Sequence, residues 1–284
     1  MKKIAIFFLL TLCSTTIFGQ KDSIKFYYEA GGELVSAYIS HGHYCGGLSL
    51  QPKVCLGYMG EKTYFRFEMW GSVGASDWKF SSLKPSYTGS EKTFFVPELN
   101  ISPSFGFFGA NIGFTYYYYF DGSGFFDFRN VSPDDPKPNS TQIEVWGQYD
   151  FETLLHFPLL FKWQTIVGGF DGYYDSNGNF TRAFSTNVSF QYTFSLPHLI
   201  FLKLGLEFSP WKSLYTDYDK NFSVNCISAR LEKKWKKKTT TFVLFTQGFI
   251  NTCNLNKETA IINAAGLTKF NQKLNGIIGL GIWF

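Results

Sequence analysis

The nine residues Gly276-Ile277-Ile278-Gly279-Leu280-Gly281-Ile282-Trp283-Phe284 place a large apolar side chain at every second position. A strand throws alternate side chains to opposite faces, so Ile278, Leu280, Ile282 and Phe284 share one face while Gly279 and Gly281 share the other. A soluble edge strand would not leave such a row uncovered, whereas hydrocarbon solvates it. The segment reads as the closing strand of an outer-membrane barrel. Ile278, Leu280, Ile282 and Phe284 are then the signal that barrel-assembly machinery would recognise. The competing expectation is the last strand of a soluble sandwich.

The other end opens Met1-Lys2-Lys3 and runs into the apolar stretch Ile4 to Leu12, too short to span a bilayer, before polar Ser14-Thr15-Thr16 and Gly19-Gln20. This pattern predicts a signal peptide over residues 1–19, cleaved after Gly19, with residues 20–284 forming a single barrel domain in the cell outer membrane. Cys13 suggests a lipoprotein, but Leu12 precedes it where a lipobox needs a small residue.

Beyond residue 19 there is no apolar run of about eighteen residues, which excludes transmembrane helices. Aromatic residues nevertheless make up 20% of the chain, while mean hydropathy is only −0.07. A barrel reconciles the two, because each strand shows lipid only half its residues. The net charge of +4 excludes little by itself. No clustered basic face marks a nucleic-acid partner, and the one basic run, Lys233 to Lys238 around Trp235, reads as a solvated turn. Cys45, Cys55, Cys226 and Cys253 fit no metal motif, and no cofactor is expected. A Cys45–Cys55 bridge and free thiols both stay open.

Period-two alternation predicts about twelve strands, with ten or fourteen as alternatives, centred near Leu34, Val54, Phe67, Leu99, Phe114, Val145, Thr165, Phe190, Leu204, Ile227, Phe245 and Ile278. The second is cleanest: Leu48, Leu50, Val54, Leu56 and Tyr58 oppose Ser49, Gln51, Lys53, Cys55 and Gly57. Connections alternate between short and long, as they do in barrels with tight periplasmic turns and large outer loops. Short turns are expected at Gly60-Glu61, Pro103 to Gly106, around His156 and Pro158, at Leu196-Pro197-His198 and in the lysine run. Long loops are expected at His41 to Gly47, Lys79 to Lys92, Asp121 to Thr141, Asp171 to Thr181, Pro210 to Asn221 and Thr252 to Asn271. The fold class is therefore all-β, a single transmembrane antiparallel up-and-down barrel.

This face assignment sends Lys53, Arg66, Glu68, Glu144, Asp150, Lys162, Lys203, Glu207 and Arg230 into the lumen, with Glu152 and Glu232 beside them. Charges inside a narrow barrel must pair or stay hydrated. Paired, they form a rigid plug in a structural barrel that works through its outer loops. Hydrated, they line a narrow channel or binding barrel for a small polar solute. An enzyme is a distant third. His156 and His198 fall in turns, His41 and His43 in the first loop, and no strand-borne His accompanies a Ser. Asp134-Asp135, among prolines, and Asp175-Ser176-Asn177-Gly178-Asn179 read as loop and turn rather than as acid pair and calcium site. Tyr87, Tyr173, Tyr174, Trp211, Tyr215 and Tyr218 are expected at the outer interface as an aromatic girdle that meets membrane lipid, with sugar stacking as the alternative.

The segment from Gly32 to Gly42, containing Ser36-Ala37-Tyr38, then Leu50-Gln51-Pro52 and Met69-Trp70-Gly71-Ser72, resembles the opening signature of the Gcw-chp family of Gram-negative envelope proteins. The likeness covers about the first quarter of the chain after residue 19. It departs at His41, where the family has Arg. It implies an outer-membrane barrel and supplies no catalytic residues.

Overall fold

Inside hydrocarbon every backbone N–H and C=O has to be paired, and a sheet achieves this only by closing on itself. The computed structural model describes residues 25–41, 43–46, 48–74, 98–120, 141–169, 171–174, 177–216, 218, 221–252 and 274–284. Twelve of its strands form one closed antiparallel barrel in which each pairs with its neighbours in the chain. They are β1 (Lys25–Val35), β2 (Ser49–Met59), β3 (Thr63–Gly74), β4 (Glu98–Phe107), β5 (Ala110–Tyr119), β6 (Thr141–Asp150), β7 (Leu159–Gly169), β8 (Thr186–Leu196), β9 (Ile200–Ser209), β10 (Ser223–Lys237), β11 (Thr240–Asn251) and β12 (Leu274–Trp283). Every expected strand centre falls inside one of them.

Closure uses the apolar terminal segment. Gly31 to Val35 of β1 pair with Trp283 to Gly279 of β12, and Ala30 and Phe284 exchange backbone hydrogen bonds at 2.8 and 3.4 Å. Past the strand end, the Ser36 N–H donates to the Ile278 carbonyl at 2.9 Å, and the Ser36 hydroxyl accepts from the Ile278 N–H. Ile278 and Leu280 point outward and are 63% and 58% exposed, alongside exposed Leu50, Val54, Leu56, Ile112, Phe114, Leu204 and Leu206. An apolar belt of that extent is stable only against lipid. The second layer that a soluble sandwich would need is absent among the described residues.

The interior is filled by a repeated device. At five inward positions a glycine lies opposite an aromatic residue on the next strand: Gly31 and Trp283, Gly57 and Tyr27, Gly106 and Tyr64, Gly113 and Trp146, Gly279 and Phe245. A Cβ on any of these glycines would run into that partner's ring, as close as 2.5 Å for Gly57 and 2.7 Å for Gly113. The missing side chain lets the ring lie flat on the wall, which fills a narrow lumen without strain. One wall goes further. Val35, Cys226, Val243, Phe245, Phe249 and Ile277 make a buried apolar cluster on the inner faces of β1 and β10–β12. The lumen is thus not uniformly wet, contrary to the expectation from the face pattern.

Three boundaries also differ from expectation. Pro103 to Gly106 are not a turn but the end of β4, and the connection to β5 is Phe108-Gly109, both at positive φ, as a tight two-residue hairpin requires. Pro103 lacks a ladder donor, so pairing with β5 lapses beside it and a Ser102–Thr115 hydroxyl bond of 2.8 Å bridges the gap. The lysine run is not a turn either. β10 continues through Lys237, with Lys233 and Lys234 laid 5.5 and 4.8 Å from the Trp235 and Phe201 ring centroids. Finally, β6 stops at Asp150, and Glu152 begins a one-turn helix, Glu152–Leu155, in the connection instead of entering the lumen.

Gly279→Ala should lower the barrel's unfolding midpoint in detergent by an amount equivalent to about 1–3 kcal/mol, the usual range for overpacking a filled core. Gly248→Ala, where a Cβ meets nothing within 4 Å, should leave it unchanged. Urea titration followed by tryptophan emission measures both, and equal midpoints for the two variants would remove the packing argument.

Candidate functional site

Alternation along β2 and β3 sets Lys53, Arg66 and Glu68 on adjoining inward positions. The Lys53 ammonium lies 3.0 Å from the Glu68 carboxylate, Arg66 also contacts Glu68, and the Arg66 Nε donates to the Cys55 sulfur at 3.0 Å. Across the lumen a second group joins strands that are not neighbours. Arg230 of β10 reaches Glu33 of β1 at 3.0 Å and Glu232 at 2.9 Å, and Glu232 also takes Lys203 of β9 at 2.9 Å and Lys234 at 3.3 Å. The Arg230 guanidinium lies 3.5 Å from the Phe245 ring centroid. Beside this second group lies a polar cavity of about 320 Å³ lined by Glu33, Gln191, Lys203, Gly205, Ser228, Arg230 and Gln247.

The loop end of the lumen is crossed by the first loop. Its strands Tyr38–Ser40 and His43–Gly46 pair as a small hairpin. Tyr38 donates to the Glu98 carboxylate on β4 at 2.9 Å, and its ring lies 5.7 Å from that of Trp70. Ile39 packs on the apolar cluster of β10–β12. His41, at the turn, carries its Nδ1 to 2.6 Å from the Glu207 carboxylate on β9 and 3.1 Å from the Asn187 amide on β8, with its Nε2 3.2 Å from the Gln164 amide on β7. A loop rooted between β1 and β2 therefore bonds to the far wall and occludes the mouth.

Other loop residues brace the same end. Tyr215, expected in the outer girdle, is buried instead, its ring 4.6 Å from that of His41 and its hydroxyl donating to Glu144 at 3.3 Å. Burial first, then the Glu144 carboxylate, push its phenol well above the ordinary value, so it stays a donor. Tyr218 is also turned inward, to Asp171 at 3.3 Å. Asp171 accepts the Ser185 N–H at 2.6 Å, and the Ser185 hydroxyl accepts the Leu214 N–H at 2.6 Å, tying two outer loops together. Trp211 is exposed as expected.

Of the charges sent to the lumen from sequence, Lys53, Arg66 and Glu68 form one cluster, and Lys203 and Arg230 share another. Glu207 and buried Glu144 belong to the occluded mouth. Lys162 lies 5.6 Å from the Trp146 ring centroid. Asp150 joins none of these groups, because its carboxylate accepts the Glu152 N–H at 3.0 Å at the turn end. Glu33, Glu98, Gln164 and Asn187 are lumen residues beyond those expected, and the parity of β1, β4, β7 and β8 carries the signal for them. Nothing local marked His41 or Tyr215 as lumen residues. Cys55 is a free thiol, so no Cys45–Cys55 bridge forms. Tyr87, Asp134, Asp135, Asp175 and Cys253, and the side chains of Cys45, Tyr173 and Tyr174, lie outside the described residues.

Fold and lumen together define a transmembrane barrel whose loop end is crossed by its own first loop. The sequence matches no protein-family model and no curated protein. Among solved structures the chain is similar to the outer membrane phospholipase dimer with bound calcium from Salmonella typhi, at 11% identity over 94% of each chain and a TM-score of 0.39. It is similar also to an outer membrane channel from Pseudomonas putida F1, at 9% identity over 94% of this chain and 96% of that one, TM-score 0.38. A third is an anion-selective porin from Comamonas acidovorans, at 9% identity over 93% and 99%, TM-score 0.32. Likeness at this level assigns neither an activity nor a cargo.

The His41 contact generates a pH dependence. Burial lowers the imidazole pKa, but the Glu207 carboxylate, its hydrogen bond and the Glu144 charge together outweigh burial and the opposing Lys162, so the value is raised from 6.5. A folded value above the unfolded one means that hairpin docking gains its full stabilisation below about 6.5 and loses it as pH rises through the raised value. Hydrogen exchange of residues 38–46 should therefore quicken, beyond its intrinsic rise, as pH climbs past 6.5. His41→Ala should exchange fast at every pH, and a wild-type rate that shows no such step beyond intrinsic exchange would contradict the linkage.

Proposed function

We propose that this protein is an outer-membrane barrel that admits and binds small polar solutes through a narrow lumen, kept closed at its outer mouth by the Tyr38–Gly46 hairpin. The observation that carries this is the polar cavity of about 320 Å³ lying on the inner walls below a closure made of hydrogen bonds instead of covalent chain. A structural wall has no use for such space, since core positions elsewhere in the same lumen are filled by aromatic rings over glycines. The alternation of tight turns and long loops, with both chain ends at the turn end, supports insertion with the hairpin outside the cell.

A second reading, a non-conducting barrel that acts through its outer loops, is favoured by one specific observation: the lumen charges form ion pairs with one another. Among the described residues no arrangement of nucleophile, base and oxyanion donors supports a membrane-embedded hydrolase, since His41 is engaged with Glu207, Asn187 and Gln164.

Planar-bilayer recording separates the two readings. The wild-type barrel should conduct seldom, and His41→Ala, or replacement of residues 38–46 by a short Gly-Ser linker, should raise the conducting fraction about tenfold, as loss of roughly 1.4 kcal/mol of closure implies. Glu68→Gln leaves Lys53 and Arg66 uncompensated and should move the reversal potential in a KCl gradient toward anion selectivity. A folded, hairpin-free barrel that stays silent would favour the structural reading.

A further inference from the structure

The cavity's chemistry bears on what it takes, and the inference rests on the solute-binding reading above. Its charges are already spent on one another. Arg230 is shared between Glu33 and Glu232, and Lys203 and Lys234 are both held by Glu232, so each of these cations already has a carboxylate partner. A charged solute entering here would have to take one member from its partner and leave the other unpaired inside the barrel, which is costly in a poorly hydrated space. The groups left over are neutral. Among the described residues none hydrogen-bonds to the Gln191 amide, the Gln247 amide or the Ser228 hydroxyl, and all three line the cavity.

Each amide offers two donor hydrogens and a carbonyl acceptor, and the serine offers one donor and two lone pairs. A ligand that both donates and accepts from each of several atoms, without net charge, matches that set. Vicinal hydroxyl groups do so. An isolated ion does not. The volume is near the lower limit for small-molecule sites, so it suits one compact molecule and no polymer. Gln191 of β8, Gln247 of β11 and Ser228 of β10 stand on three strands of the wall, so a ligand would be gripped from more than one direction.

We propose that this cavity is a binding site for a small neutral polyhydroxylated solute, of the sugar or polyol class, and discriminates against free ions. Occupancy needs no rearrangement of the ion pairs, which act as a fixed polar frame. The Gly205 position contributes by omission: a Cβ there would press against the Ser228 hydroxyl and turn it from the cavity.

The test is saturation-transfer NMR on the full-length barrel folded in detergent, with D-glucose, sorbitol, sodium glutamate, lysine hydrochloride and glycine each as probe. Glucose or sorbitol should receive saturation, and the charged probes should not. The double variant Gln191→Leu, Gln247→Leu should weaken the polyol signal's apparent affinity by roughly tenfold, the loss of one to two net hydrogen bonds. Heat-modifiable gel mobility establishes that the variant is folded, and Gln247→Asn, which keeps the amide, should restore part of the affinity. Saturation of glutamate, lysine or zwitterionic glycine at the expense of the polyols overturns the proposal, as does silence from every probe or an unchanged signal in the double variant. Failure of passage is read separately, by swelling of liposomes that carry the hairpin-free barrel. Swelling without preference for neutral solutes leaves passage standing and removes this site. Polyol binding in detergent without swelling does the reverse.

Discussion

Backbone closure is the constraint on which everything else depends. Once every strand has two partners, circumference is set by strand number, and twelve strands leave a lumen too narrow to be ignored and too wide to close by backbone alone. What fills it is then forced. Part of the filling, on strands from β11 round to β6, is rings laid on glycines, because a glycine opposite an aromatic removes both the void and the clash. The rest is ion pairs and amides, because any charge that parity sends inward has to find a partner there. The same geometry explains why Arg230 can bond to Glu33 although β11 and β12 stand between their strands: on the inner, concave side long side chains converge.

Much of this was legible in the residues. A period of two marks faces directly, and each expected centre from Leu34 to Ile278 lies in a barrel strand. The errors have physical causes. Pro103 and the following Ser-Phe-Gly look like a turn because proline lacks a donor, yet one missing bond is tolerated when a side-chain pair such as Ser102 and Thr115 spans the gap. The lysine run looks solvated because lysine usually is, but its long stems lie along aromatic rings and let the strand continue past them. The candidate site was half legible. Parity places Lys53, Arg66, Glu68, Lys203 and Arg230 on inner faces, but which of them meet depends on barrel curvature, and curvature is not a property of any one strand. The hairpin was least legible of all, because a loop that folds inward has the same composition as one that folds out. His41 joined to Glu207 is a contact between residues 166 apart in sequence.

The hairpin is fixed by three different kinds of contact, and that mixture determines how it can move. Tyr38 holds a carboxylate on β4, Ile39 is packed on the apolar wall of β10–β12, and His41 is held by charge and amides on β7–β9. Loss of the His41 proton acts directly on the third. Losing it leaves the apolar anchor and the Tyr38 bond in place, so a change in pH loosens the tip of the hairpin before it frees the base. Full opening requires Ile39 to leave its packing as well, and that step has no ionisable group in it. The position of Tyr215 strengthens the coupling: it touches the His41 ring on one side and Glu144 on the other, so the second outer element to enter the mouth, the loop at 210–222, is packed against the first. Through Ser185 and Asp171 that loop is tied in turn to the connection between β7 and β8. Withdrawal of the hairpin would therefore disturb three loops at once, so the loop end as a whole, more than any single bond of His41, holds the hairpin in place.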